Sequence, residues 1–167
     1  TDVVLPEHAV GSVIAGFAAV LLVARAFDWG ARHTLRIPLL WVLHAGYAFL
    51  PLGLALRAAA LVSSSIPPSA ATHALTAGGI GLVTLGMMAR VPLGHTGRPL
   101  VAGRGATASF VLVLAAALVR VLAPIVTPGA YLRALEISGT LFAAGFAIYA
   151  ASYARICAAA RVDGKPG

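Results

Sequence analysis

The chain alternates between long apolar runs and short polar breaks, and the length of the runs decides what they are. Apolar residues dominate about residues 6–27, 37–62, 70–91, 107–126 and 131–158, and Arg, Pro, Gly and Ser gather between them. A helix that crosses a bilayer needs roughly 20 apolar residues at ~1.5 Å of rise each, and every run approaches or exceeds that length. A transmembrane strand needs only ~10 residues of alternating polarity, a pattern these runs lack. The expectation is an all-α polytopic transmembrane bundle of about five spanning helices, one domain over residues 1–167.

The breaks refine this picture. Pro6 suits a first helical turn, and Asp2 and Glu7 stand where a signal peptide would carry positive charge. The first run therefore reads as a mature span. Pro51 should kink the second helix or loosen its backbone bonds. Ser63 to Ser69, with Pro67 and Pro68, reads as a turn, and Thr127-Pro128-Gly129 as another. Residues 92–99 read as a loop, because Pro and Gly punctuate them closely. Since the first residue is Thr1, the sequence reads as a piece of a longer chain.

Composition supports lipid as the solvent. Of 167 residues, 60% are hydrophobic and 10% charged, with a mean hydropathy of +0.94, whereas soluble domains carry roughly 25% charged residues. The net charge of +7 would suit a nucleic-acid partner in a soluble protein. Here the basic residues lie between apolar runs instead of on one face, so no nucleic-acid partner is expected. With the N-terminus outside, the inner segments hold Arg25, Arg32, Arg36, Arg90, Arg98, Arg104, Arg155, Arg161 and Lys165. The outer ones hold only Arg57, Arg120 and Arg133. That bias follows the positive-inside rule and places the C-terminus in the cytoplasm. Cys157 is alone, which excludes an internal disulfide and a CxxC site.

Histidine is the residue type with chemistry to offer. His44 lies within the second run, three residues before Tyr47 and on its face, and Gly46 leaves room for a bulky neighbour. Ionisable groups inside a membrane are costly and face a bundle interior or a cavity. His44 is either a neutral histidine bonded to a facing helix or a haem or metal ligand. His73 starts a stripe with Thr76, Ala77, Gly81, Thr84 and Met88, beside the small residues Gly78, Gly79 and Gly86. Such a surface serves close helix packing or a flat macrocycle, and glycine alone does not separate the two. Met87 and Met88 offer thioethers to copper(I), with core packing the simpler role.

His95 sits in the 92–99 loop near Arg90 and Arg98, where a metal, a haem propionate or a lipid phosphate would be held. His8 reads as interfacial, with ligation in reserve, and His33 beside Arg32 is the weakest candidate. Straight helices put His44 and His73 far apart along the membrane normal, so two sites at different depths are expected. Glu136 and Arg133, one turn apart, read as an interfacial pair. There is no Walker loop, Rossmann fingerprint, HExxH or hydrolase-like triad spacing.

One string is distinctive: His73-Ala74-Leu75-Thr76-Ala77-Gly78-Gly79-Ile80-Gly81, continuing through Thr84-Leu85-Gly86-Met87-Met88-Ala89-Arg90-Val91 to Leu93-Gly94-His95-Thr96-Gly97-Arg98-Pro99. It resembles the NnrS family, as does Trp41-Val42-Leu43-His44-Ala45-Gly46-Tyr47 followed by Leu50-Pro51-Leu52-Gly53. The resemblance implies a multi-pass protein of the bacterial inner membrane that contains haem and copper and takes part in nitric oxide stress and denitrification. It implies a longer chain with an N-terminal helical half, of which this would be the C-terminal part. Nitric oxide or an electron donor would be its small partners. On this reading His44, His73 and His95 are ligands, with His8 in reserve and Tyr47 and Arg98 lining cofactor pockets. The competing reading is a cofactor-free transporter or scaffold whose histidines pack or handle protons.

Overall fold

The computed structural model describes residues 9–164. Five helices are long and apolar enough to cross a membrane, here the first to fifth spans: Ala9–Ala26, Pro38–Ala59, Pro68–His95, Arg104–Val126 and Pro128–Ala158. A single helical turn, Ala31–Thr34, lies between the first two. Pro38 and Pro68 open their spans at the first helical position, where a missing N–H is no loss. The second span runs on through the buried Pro51. The fifth begins with the short turn Pro128–Ala130 and continues as Tyr131–Ala158.

The third span departs from expectation in two ways. Its residues Ala74–Ile80 form a π-helical segment, a wider turn that often marks functional sites. It also continues through Pro92 to His95, where the sequence suggested a loop. Proline at 92 cannot donate to the carbonyl of Met88, yet that carbonyl accepts the Tyr149 hydroxyl at 2.8 Å. A neighbouring helix thus satisfies the group that proline leaves open, as a bilayer demands. The actual stop is Gly97 at φ 71°. Arg98 N–H bonds Leu93 O at 2.9 Å and Gly97 N–H bonds Gly94 O at 3.2 Å. These are the paired bonds of a Schellman ending, for which glycine's left-handed freedom is the usual device.

Neighbouring spans run in opposite directions, as cross-contacts show. Tyr47 Oη donates to Leu22 O at 3.1 Å between the first and second spans. A Cβ on Gly46 would sit 2.8 Å from Val83, and one on Gly53 2.7 Å from Leu75. Ser138 Oγ donates to Ala116 O at 2.9 Å between the fourth and fifth. The third span is the hub, touching the second, fourth and fifth, whereas among the described residues the first touches the second span and no other. The core gathers where the hub is crowded: Leu39, Val42, Leu82, Leu85, Phe110 and Val113 are fully buried, and Trp41 meets Phe110 edge-on at 6.1 Å. The first span leaves Val13, Phe17 and Val20 more than half exposed, as lipid-facing residues should be.

Candidate functional site

His44 stands two turns into the second span, ~9 Å from its start by helical rise. It lines a cleft of about 780 Å³ between the first and second spans, together with Val23, Phe27, Tyr47, Ala48 and Pro51. Trp29, from the break after the first span, leans over it. Its ring centroid lies 6.1 Å from that of His44 and 4.4 Å from that of Tyr47. The guanidinium of Arg25 stacks 5.9 Å above the Trp29 ring. Gly30, at φ 63°, makes the turn that brings Trp29 back, a conformation costly for other residues. Tyr47 shares the His44 cleft, but its hydroxyl proton is committed to Leu22 O. Trp29 was not singled out from the sequence. Its signal was an aromatic, Trp29, placed beside Gly30 at the end of a span.

His73 lies near the opposite end of the bundle, one turn into the third span. It lines a second cleft, of about 660 Å³, with Thr76, Ala77, Ile80, Arg120, Phe142 and Phe146 among the other walls. Thr76, Ala77 and Ile80 belong to the π segment, so the widened turn shapes this wall. The His73 Nε2 is 3.4 Å from the Tyr131 hydroxyl, which leaves the other ring nitrogen uncommitted. Arg120, which the charge count had assigned to an outer segment, is inside the fourth span and half-buried on this cleft. Its Nη1 reaches Ser138 Oγ at 3.5 Å, and that hydroxyl donates to Ala116 O. A guanidinium flanked by Val119 and Val121 was a legible signal, since an intramembrane charge is a functional candidate by default.

His95 is the last residue of the third span and is exposed. Along the helix it is roughly 33 Å from His73. It lines a third cleft of about 350 Å³ with Arg90 and Arg161. The C-terminal tail folds back here: Arg161 Nη1 donates to His95 O at 2.8 Å, and Val162 N–H donates to Thr96 O at 3.1 Å. Arg161 also grips Asp163 through Nε at 2.9 Å and Nη2 at 2.6 Å. Hydrogen bonding to Asp163 raises its already high pKa further, burial opposes this, and the carboxylate charge adds to the rise. Arg98 is not among the lining residues of this cleft. It is half-buried, and its Nη1 finds no hydrogen-bond partner among the described residues.

The glycine face of the third span has an occupant. A Cβ on Gly78 would run into the Phe49 ring, one on Gly79 would come within 2.9 Å of Leu50, and one on Gly86 within 2.8 Å of Leu43. Second-span side chains fill the space that a macrocycle would need, so this face is a packing seam. Met87 and Met88 are 44% and 38% exposed, which removes the core role expected for them. His33 is exposed and accepts from Arg32 Nε at 3.2 Å, and His8 lies outside the described residues. His44, His73 and His95 line three clefts with no wall residue in common. Among the described residues, no three His, Cys, Asp or Glu side chains gather as a metal site.

Comparison with known proteins completes the description. Neither the curated proteins nor the solved structures gave a match. The family model described as NnrS protein matches residues 1–161, nearly the whole of the 167-residue chain. That match takes in every span and all three clefts, and on its strength this multi-pass membrane chain belongs to the NnrS family.

Proposed function

We propose that the chain is the C-terminal part of a haem- and copper-containing protein of the bacterial inner membrane that acts in nitric oxide stress and denitrification. The observation that carries this reading is the His73 cleft. Haem needs an imidazole donor, apolar walls for its ring and a cation for its propionates. His73, the Ile80, Phe142 and Phe146 walls, and Arg120 supply these in one cavity. Tyr131 is placed to orient the ring of His73, a role that such hydrogen bonds commonly fill beside a ligating histidine. When bound, haem would supply electron transfer or a binding position for a diatomic gas, according to its axial ligands. His44, with Tyr47 beside it, is the candidate for a second cofactor, and His95, with Arg98, for a third contact.

Copper fits the described residues less well. It would need several nitrogen or sulfur donors, and among the described residues no three His, Cys, Asp or Glu side chains meet. Copper held by His44 or His73 would therefore need donors from His8 or from outside this chain, and at His95 the Met87 thioether is the one soft donor that lines the same cleft. The distribution of Arg and Lys supports a cytoplasmic C-terminus.

The test is absorbance and metal analysis of the purified full-length protein, with a topology reporter fused after Gly167. A Soret band is expected. It should be lost or shifted in His73→Ala and weakened in Arg120→Gln, with the reporter reading cytoplasmic. A colourless, metal-free protein would favour a cofactor-free transporter or scaffold, and a periplasmic reporter would reverse the orientation.

A further inference from the structure

The cleft at the His95 end of the third span is remote from the proposed haem site and has a different character. One side is cationic or hydrogen-bonding: Arg90, His95 and Arg161. The other is apolar: Met87, Val91 and Leu100, which are 44%, 44% and 45% exposed. By helical rise Val91 lies ~6 Å, Arg90 ~7.5 Å and Met87 ~12 Å deeper than His95, and a long arginine side chain lays its apolar stem along such a surface while its charge reaches towards the polar end. A Cβ on Gly94, which lines the cleft beside His95, would meet nothing within 4 Å, so the groove is open there. His95 and Arg161 at the mouth, Arg90 within reach of them, and an apolar track of Val91 and Met87 running towards the middle of the bundle match a head and a tail.

We propose that this cleft binds an anionic phospholipid, with its phosphate held by Arg90, His95 and Arg161 and an acyl chain laid along Val91 and Met87. Arg161 is positioned in advance. Asp163 grips it through two nitrogens and His95 O takes a third contact, so three of its five N–H groups are used and two are left for a ligand. Asp163 offsets one charge, and Arg90 leaves the cleft net positive. Arg98, Arg104 and Arg155 belong to the same end of the bundle and add to its field. Basic pockets between spans at the cytoplasmic face are the usual seats of anionic headgroups. A free phosphate would satisfy the cations but leave the apolar track unused. This inference does not depend on haem, and its failure would leave the His73 cleft untouched.

The experiment is lipid competition on the whole chain. The purified protein, stripped of lipid, is reconstituted in nanodiscs of equal phosphatidylglycerol and phosphatidylcholine, and retained lipid is read by native mass spectrometry. Phosphatidylglycerol should be enriched about tenfold, given the attraction of each basic side chain for an anionic headgroup. Arg90→Gln with Arg161→Gln should bring the ratio close to parity. Arg90→Gln alone, which leaves the tail contacts intact, should remove about half of the preference on a logarithmic scale. Arg133→Gln, at the other end of the bundle, should change nothing. Inorganic phosphate alone should compete weakly, and short-chain phosphatidylglycerol less well than the long-chain lipid. Equal retention of both lipids would overturn the proposal, as would enrichment that survives the double variant. Binding of inorganic phosphate as tight as that of the lipid would make the site one for a free anion instead.

Discussion

The His44 and His73 clefts each set one imidazole on the wall of an apolar cavity, and there the likeness ends. Around His73 stand a guanidinium, three threonines and a tyrosine hydroxyl, and Arg120 is itself propped by Ser138. Around His44 the companions are aromatic rings, and Tyr47 has turned its hydroxyl proton to the first span. The support of the walls differs too. The His73 cleft is cut into the crowded side of the hub span, while the His44 cleft has one wall on a span that, among the described residues, touches a single neighbouring span. An imidazole in a membrane takes its role from what surrounds it. On the proposed reading, the charged companion of His73 would suit an anionic group on a ligand, and the aromatic rings around His44 a flat apolar body.

Breaking the wall between the clefts should have the largest effect. The second and third spans meet along the glycine seam, and Gly78→Leu would drive a side chain into Phe49. We expect loss of assembly, more than about 3 kcal/mol of overpacking, measured as aggregation in detergent and loss of any cofactor spectrum. Gly139→Leu, with nothing within 4 Å, should be tolerated. Next in size is His44→Ala, which should remove or shift the signal of a second cofactor and leave the protein inserted, while the His73-dependent bands persist. The exposed His33→Ala is its control, and unchanged spectra in both would return His44 to packing. The smallest effect belongs to Tyr149→Phe. It would leave the Met88 carbonyl without its partner opposite Pro92, and should lower the thermal midpoint by the equivalent of about 1 kcal/mol. No shift would mean that water or backbone adjustment satisfies that carbonyl instead.

Spans were legible in the sequence because lipid demands long apolar runs, and no other feature of these residues disguises them. The end of the third span was not, because a proline rule read locally overrode Gly97. Pro92 is harmless only once Tyr149, 57 residues later, is brought beside Met88, and no local pattern announces that. The histidines were found as residue types. Their partners were missed where they come from another span or from a break between spans: Arg120, Tyr131 and Trp29 meet their histidines through tertiary contact. The π segment escaped for a related reason. Its Gly78-Gly79 pair reads as a packing surface in an ordinary helix, and the wide turn is visible only where the segment packs against Phe49, Leu50 and the fourth span.

That segment makes the third span a two-part screw with a phase setting between the parts. Each α-helical residue advances the screw by about 100°, and a turn closed by bonds to the fifth residue advances it less. Everything beyond Ile80 is therefore clocked against His73 by the seven residues Ala74–Ile80. A turn closed by bonds to the fifth residue takes one residue more than an α-helical turn for nearly the same rotation, so removing one of the seven and restoring α-helical pitch would leave Gly86 and the Met88 carbonyl close to their present phase. Restoring α-helical pitch with all seven retained would instead rotate the far half by about 100°, swinging Gly86 off Leu43 and the Met88 carbonyl away from Tyr149. The anchored faces at the two ends could then not both be seated, so the extra residue of the wide turn sets the twist of the whole bundle.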